Sequence, residues 1–331
     1  MVKLLLTFSY TLIFSCLAIS QETNAQGANK YIDFVDTNLI DRDLRHYSLR
    51  LYQSFKDRSF ILRNDDHEIR YTPNNSSGMG IGFANSIFSL GMGIGNEGSQ
   101  NETDRFDFSF NITLKRKHVI GLFFQHYKGY NVVANEDHES IFRNDISSLT
   151  GSINYLRLYN SEKLSLTTVM NGITRQKENA YSVAFGGSMT YKRTDADSSM
   201  VNIPGMDNFN PWAEITNLKE YGLSMIGQVN GILVLPLDIF ITASFMPGIG
   251  LNIQNVVTET TEYNPKEPLT FTLGISTAIG YNMKRFYTTF KYNGIYNTGS
   301  LGYGNYNDLK VNKWKFVLGY KLFKEQKGTK D

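Results

Sequence analysis

A serine or histidine does chemistry only beside the right neighbours, and in this 331-residue sequence few such groups stand at a useful spacing. His138 and Ser140 are two apart, a separation that would put both on one face of a strand. A nucleophilic serine needs a base within hydrogen-bond reach and a third group to orient that base. Here the pair lies among Asn135, Glu136, Asp137 and Glu139, which reads as a solvated loop. A lipid-modifying enzyme is therefore the minor reading, and no catalytic residue is assigned. His46, His67, His118, His126 and His138 are scattered, without a pair at zinc-ligand spacing. Asp195 and Asp197 lack the further oxygen ligands that calcium requires. No metal or cofactor is expected. Gly78, Gly80, Gly82 and Gly91, Gly93, Gly95 recur every second residue, which places each trio on one strand face and not in a phosphate-binding loop.

The informative charged set is basic. Lys313, Lys315 and Lys321 share one parity, opposite Trp314, Phe316, Leu318, Tyr320 and Leu322. Successive side chains of a strand point to opposite faces, and a lysine facing lipid near the bilayer midplane costs about 2 to 4 kcal/mol. Together with Lys291 on the preceding strand, whose register is open, these lysines are expected to face a lumen. In a conducting barrel they would favour anions.

The elements that must carry these residues alternate with period two. Leu269, Phe271, Leu273, Ile275, Ile279 and Tyr281 are apolar, while Thr270, Thr272, Gly274, Ser276, Ala278 and Gly280 between them are small or polar. No helix produces that pattern. The same alternation runs through 106–114, 181–191, 239–253 and 314–322. The segments exceed the usual soluble strand, their non-apolar face is Gly, Ser, Thr and Asn with few acids, and aromatics stand near strand ends at Tyr281, Phe286, Tyr292, Tyr296, Tyr320 and Phe323. These features suit a wall crossing lipid at a tilt, greasy outside and polar within. The expected fold is all-β: an antiparallel transmembrane β-barrel of the outer-membrane type. A soluble sandwich or lipocalin-like barrel is the alternative.

Twelve strands are read at 78–84, 87–95, 104–115, 117–129, 145–159, 163–172, 180–193, 219–235, 238–254, 267–283, 285–297 and 309–323. Fourteen would result if 46–55 and 58–73 joined the wall. Arg50, Lys56, Arg58, Arg63 and Arg70 crowd that stretch, so 26–77 is read as an N-terminal segment with a hairpin or plug, ahead of a barrel over 78–323 and a polar tail at 324–331. With this count the long connections of the C-terminal half fall on one end, but 96–103 and 130–144 fall on the other, against the usual division into short turns and long loops. In the longest loop, Asn210-Pro211-Trp212-Ala213-Glu214 predicts a short helix with Asn as its cap.

Lys plus Arg (33) nearly balances Asp plus Glu (31), so no field draws a polyanion and nucleic acid is not an expected partner. Lys3, the apolar run Leu4 to Ile19 and the small residue Ala25 form a signal peptide over 1–25. Cleavage there removes Cys16, the single cysteine. A lipoprotein site at Ser15-Cys16 fits poorly, because Leu17-Ala18-Ile19 continues the apolar run.

Several stretches in order, YSLRLYQSF from Tyr47, IRYTPN from Ile69, FQHYKGY from Phe124, KLSLTTVMNGITRQKENA from Lys163, FMPGIG from Phe245 and AIGYNMKRF from Ala278, resemble an uncharacterised family of outer-membrane β-barrel proteins from Bacteroidota, domain of unknown function DUF4421. The resemblance covers most of the mature chain and implies location and fold, with no activity or site residues attached. Asn179-Ala180-Tyr181 departs from the family pattern. Outer-membrane lipid and lipopolysaccharide are the expected surroundings. The expected role is a channel or transporter for small solutes, with a structural or interaction barrel, its long loops binding a surface partner or glycan, as the alternative.

Intact-mass measurement on protein extracted from membranes is expected to give a chain beginning at Gln26. A mass retaining residues 1–25 would contradict the leader.

Overall fold

Stretches with one apolar and one polar face pair edge to edge until no edge is left. The computed structural model describes residues 39–41, 47–85, 87–95, 102–134, 140–165, 168–169, 174–202, 209–283 and 285–322. Its wall is a ring of twelve antiparallel strands: β1 (Tyr47–Arg63), β3 (Ser77–Ala84), β4 (Phe88–Gly95), β5 (Asp104–Leu114), β6 (His118–Ala134), β7 (Ile141–Tyr159), β8 (Ala180–Asp195), β9 (Ile215–Val234), β10 (Ile239–Thr258), β11 (Leu269–Asn282), β12 (Phe286–Gly302) and β13 (Asn305–Leu322). Each pairs with the next in sequence, and β13 pairs with β1 from Tyr306↔Arg63 to Leu322↔Tyr47, which closes the ring. The fold is thus an all-β, outer-membrane-type barrel.

Two strand assignments change. The stretch 46–55 with the first part of 58–73 is one strand, β1, built into the wall, not a plug ahead of it. Its remainder is a short strand, β2 (Glu68–Thr72), which pairs with the end of β1 and with β6. β3, β4 and β5 are short, and β2 fills the window they leave between β1 and β6. The hairpin from β1 to β2 is held by Asn64, whose Oδ1 accepts from the backbone of Asp66 (3.0 Å) and His67 (2.7 Å). The other change is at 163–172, where the described residues form no strand. Leu164 and Val169 pack on inward Ile232 and Phe240, with a helical turn at 168–169.

Removing one strand and adding another leaves the number at twelve and corrects the parity. The connections 96–103, 135–140, 196–214 and 259–268 now share one end, the loop end. The opposite, turn end carries the tight connections at 115–117 and 235–238, where Lys115, Arg116, Leu237 and Asp238 take positive φ.

The outward face is apolar: Leu51 is 65% exposed, Met225 75% and Ile253 72%. At the turn end this face carries Tyr155, Tyr159, Tyr181, Tyr281, Phe286 and Tyr320, an aromatic belt of the kind that sits at a lipid–water interface. Of the residues expected near strand ends, Tyr292 pairs with Trp314 on the outer face (4.5 Å between centroids), and Phe323 lies outside the described residues.

The inward glycines make room for tyrosines. A Cβ at Gly80 would stand 2.2 Å from the Tyr52 ring and 2.4 Å from the Met92 carbonyl, and one at Gly319 2.1 Å from the Tyr287 ring. Gly80→Ala is therefore expected to cost about 1 to 3 kcal/mol through overpacking, read as a lower unfolding midpoint in detergent. Gly231→Ala, where a Cβ meets nothing within 4 Å, is the silent control.

Candidate functional site

The interior of β1 sets the chemistry of the lumen. Its even-numbered residues from Ser48 to Arg58 point inward, and Phe60 and Leu62 continue the face towards the loop end. At mid-height Lys56 Nζ donates to Asp107 Oδ1 (3.0 Å) and to the Tyr127 hydroxyl (2.7 Å). Arg105 donates twice to Asp107 Oδ2 (2.9 and 2.8 Å), and Tyr127 and Gln125 also donate to this carboxylate. Arg58 bonds Tyr130 and Ser148 (3.0 Å each) and lies 4.7 Å from the Tyr127 ring centroid. The side chains of Lys56, Arg105 and Asp107 are 3%, 2% and 8% exposed. This network joins β1, β5, β6 and β7 across the barrel.

Three of the four lysines expected to face the lumen, Lys291, Lys313 and Lys315, come together here. Lys313 stands opposite Lys56, and Lys315 stands between Ser54 on β1 and Lys291 on β12. Directly opposed residues of an antiparallel pair share a face, so these side chains lie on the side of buried Lys56 and Ser54. Lys315 Nζ rests 3.3 Å from the Tyr52 ring centroid, and Lys291 Nζ donates to the Val169 carbonyl (3.4 Å). Lys321 is apart, buried at the turn end with Asn282 Oδ1 and the Met283 carbonyl (3.1 Å) as acceptors.

Both ends of the lumen are filled by chain. At the loop end the connection from β8 to β9 enters the mouth: Met200 donates its N–H to Ile215 (2.9 Å), and its carbonyl accepts from the Tyr71 hydroxyl (2.8 Å). Met200 and Val201 are buried with Phe60, Leu62, Tyr71 and Leu218 in one apolar cluster. The expected helix is a single 3-10 turn, Pro211–Ala213, and Asn210 does not cap it; its amide bonds Tyr303 and Asn305 (3.3 Å each). Trp212 stacks on Tyr303 at 4.1 Å, and its carbonyl accepts from Tyr263 (2.8 Å). Burial pushes the Tyr263 hydroxyl up to about 12, so it remains a donor at neutral pH. Beneath this lid is a cavity of about 20 Å³, bordered by Arg58, Phe60, Met200, Leu218, Glu220 and Leu309. At the turn end Ser165, Thr168 and Thr174 bond one another, and Thr174 also accepts from Asn282 (3.1 Å).

Of the other groups read from the sequence, Ser140 is exposed just before β7, and His138 and His46 lie outside the described residues. Asp195 is bound to Arg193 (2.8 Å) and Asn217, while an oxygen of Asp145 accepts from the backbone N–H of Asp197 (3.1 Å). Among the described residues, no three ligands gather as a metal would require. Parity places Lys56, Arg58 and Arg105 in the lumen as it does the C-terminal lysines. For Lys56 and Arg58, the crowding of basic residues in the N-terminal stretch concealed that signal.

A family model described as a domain of unknown function (DUF4421) matches residues 35–322. No curated protein matches the chain. Among solved structures it is similar to the outer membrane protease OmpT from Escherichia coli, at 9% identity over 87% of this chain and 100% of that one, with a TM-score of 0.43. It is also similar to the translocator domain of the autotransporter NalP from Neisseria meningitidis, at 12% identity over 92% and 98%, TM-score 0.44. The COG4313 outer membrane channel from Pseudomonas putida F1 gives 7% identity over 88% and 98%, TM-score 0.36.

Removing one partner of a buried ion pair strands the other, at about 3 to 5 kcal/mol. Asp107→Asn is expected to destabilise the folded barrel by that order in urea titrations, and Lys56→Met in the same background to recover part of the loss. An unchanged midpoint for Asp107→Asn would remove the carboxylate from its central place.

Proposed function

The chain belongs to the family described as domain of unknown function DUF4421, and from that premise we propose that it is an outer-membrane barrel with a closed lumen that acts through its loop end. It is exported by a cleaved leader and held in outer-membrane lipid and lipopolysaccharide by its apolar outer face. The observation that carries the reading is the filling of the lumen at three levels: the apolar lid around Met200, the Lys56–Asp107–Arg105 layer, and the inward chain around Leu164 and Thr174. A barrel of about this strand number is open or filled according to its side chains and inserted segments. With the interior occupied, the surface left for a protein or glycan partner is the loop end, where Trp212 and Tyr303 stack at the mouth.

The basic layer favours a second reading, a channel or transporter for small solutes that prefers anions. That reading needs the lid and the Asp107 network to move, since both occupy the path.

Planar-bilayer recording separates the two. The closed barrel is expected to give no sustained conductance, and deletion of 198–212 to leave it closed at the charged layer. Stable conductance from the wild type would overturn the reading. If that current also reversed its ion preference in Lys313→Glu, Lys315→Glu, it would establish the anion channel.

A further inference from the structure

Towards the loop end, where β6 meets β7, the ladder skips. Lys128 pairs with Ser147 and Tyr130 with Arg143, so Asn144, Asp145 and Ile146 of β7 stand against Gly129 alone, which takes a φ of +87°. Such a bulge breaks the pairing and re-aims side chains, and bulges recur beside functional sites. Here it borders a cleft of about 690 Å³ on the outer wall. Arg143 fixes the floor of the cleft. It donates twice to Asp145 (2.7 Å each), and also to the Ser199 carbonyl (3.1 Å) and the Ser198 hydroxyl (3.0 Å), while Asp145 accepts from the N–H of Asp197 (3.1 Å). The loop after β8 is therefore held against the bulge before any ligand arrives.

The groups left over are mixed in kind. The side chains of Lys128, Asn144, Ser147 and Asp197 border the cleft and make no hydrogen bond with a described residue. They offer an ammonium, an amide, a hydroxyl and a carboxylate, donors and acceptors in one space. The half-buried Phe142 adds an apolar ring. Among the described residues neither sign of charge prevails, since Arg143 pairs with Asp145 and Arg193 with Asp195, and Lys128 and Asp197 are one of each. The connection 135–139 between the same two strands carries Glu136, Asp137 and Glu139, so phosphate is not what this surface selects. A sugar ring matches it: every hydroxyl both donates and accepts, and the C–H face suits an aromatic side chain. The volume lies within the range of about 300 to 1,000 Å³ usual for small-molecule sites.

Height on the wall points to the source of the sugar. On β6, His118 bonds Tyr155 in the aromatic belt of the turn end (2.8 Å), and Lys128 lies ten residues further along the strand. At about 3.4 Å per residue and a tilt of about 40°, that is about 25 Å, the height of the apolar band of an outer-membrane barrel. The cleft opens where the wall leaves the lipid on the loop side, outside the mouth. We infer that it binds uncharged sugar rings of the surrounding lipopolysaccharide, with Asn144 and Asp197 engaging ring hydroxyls and Phe142 the apolar face of a ring. The inference deepens the loop-end reading above and rests on it for the side that meets sugar. Conductance tests the closed lumen, whereas saccharide binding tests the cleft, so either can fail alone.

The experiment uses the full mature chain folded in a nonionic detergent. The probe is the lipid-free oligosaccharide released by mild acid from the lipopolysaccharide of the protein's own membrane, and binding is read by titration calorimetry. The wild type is expected to bind it with an affinity that added salt leaves unchanged. Asn144→Ala, Asp197→Ala removes two side chains that hold nothing in the fold and is expected to weaken binding by about tenfold or more. Ser147→Trp, which fills the cleft, is expected to abolish it; should that variant not fold, the double variant decides. Lys310→Ala, exposed on β13, is the silent control. A wild type that does not bind the oligosaccharide, equal binding by the cleft variants, or binding that salt abolishes, as recognition of phosphate would require, would each overturn the assignment.

Discussion

A chain in hydrocarbon must pair every backbone N–H and C=O with itself, and the rest of this structure follows from that constraint. A sheet satisfies it only by closing. Closure needs an even number of antiparallel strands in a meander, so the last strand, β13, requires a first strand that returns to it. β1 is that strand, paired with β13 along its whole length. Its basic residues then have one place to go. Facing lipid they would be expensive, so Arg50, Lys56 and Arg58 enter the lumen, and the interior is organised around their charge.

Asp107 and Tyr127 are the response to that charge. One carboxylate engages Lys56 and Arg105 together, while Tyr127 supplies a hydroxyl to Lys56 and a ring face to Arg58. The partners stand on separate strands, so neutralising the charge also braces the wall from inside. Above this layer the inward residues become apolar, which lets Met200 and Val201 seat without a polar cost. Below it, glycines such as Gly80 and Gly319 leave room for Tyr52 and Tyr287. The lumen is layered because β1 is layered.

Much of this was legible in the sequence. Strands from β8 onward carry strict alternation, and their small polar inner faces leave one interpretation. The parity of Lys313 and Lys315 needed no structure, and neither did the aromatic positions at Tyr281, Phe286 and Tyr320. Two stretches misled for physical reasons. In β1 the inner face is basic instead of small, so a regular alternation resembled a solvated plug. At 163–172, β-branched and apolar residues look like a strand, yet among the described residues Thr168 turns back to donate its N–H to the Ser165 carbonyl, and the Ser165 and Thr168 hydroxyls meet that of Thr174. The two errors were linked, since exchanging those strands restored the parity of the loops. The charge layer itself lay beyond sequence reasoning, because Lys56, Asp107 and Tyr127 meet only after closure.

The central claim is that the middle of the lumen is solid and shut off from both sides. Cys16 is the one cysteine of the sequence, so in a Cys16→Ser background a single introduced thiol reports access directly. The most direct measurement is the labelling rate of Ser54→Cys by a charged, membrane-impermeant methanethiosulfonate, against Thr260→Cys in an exposed loop. Ser54 is 2% exposed. The account predicts that Thr260→Cys labels promptly and that Ser54→Cys labels only after the barrel is unfolded; equal labelling of both in the folded barrel would contradict it.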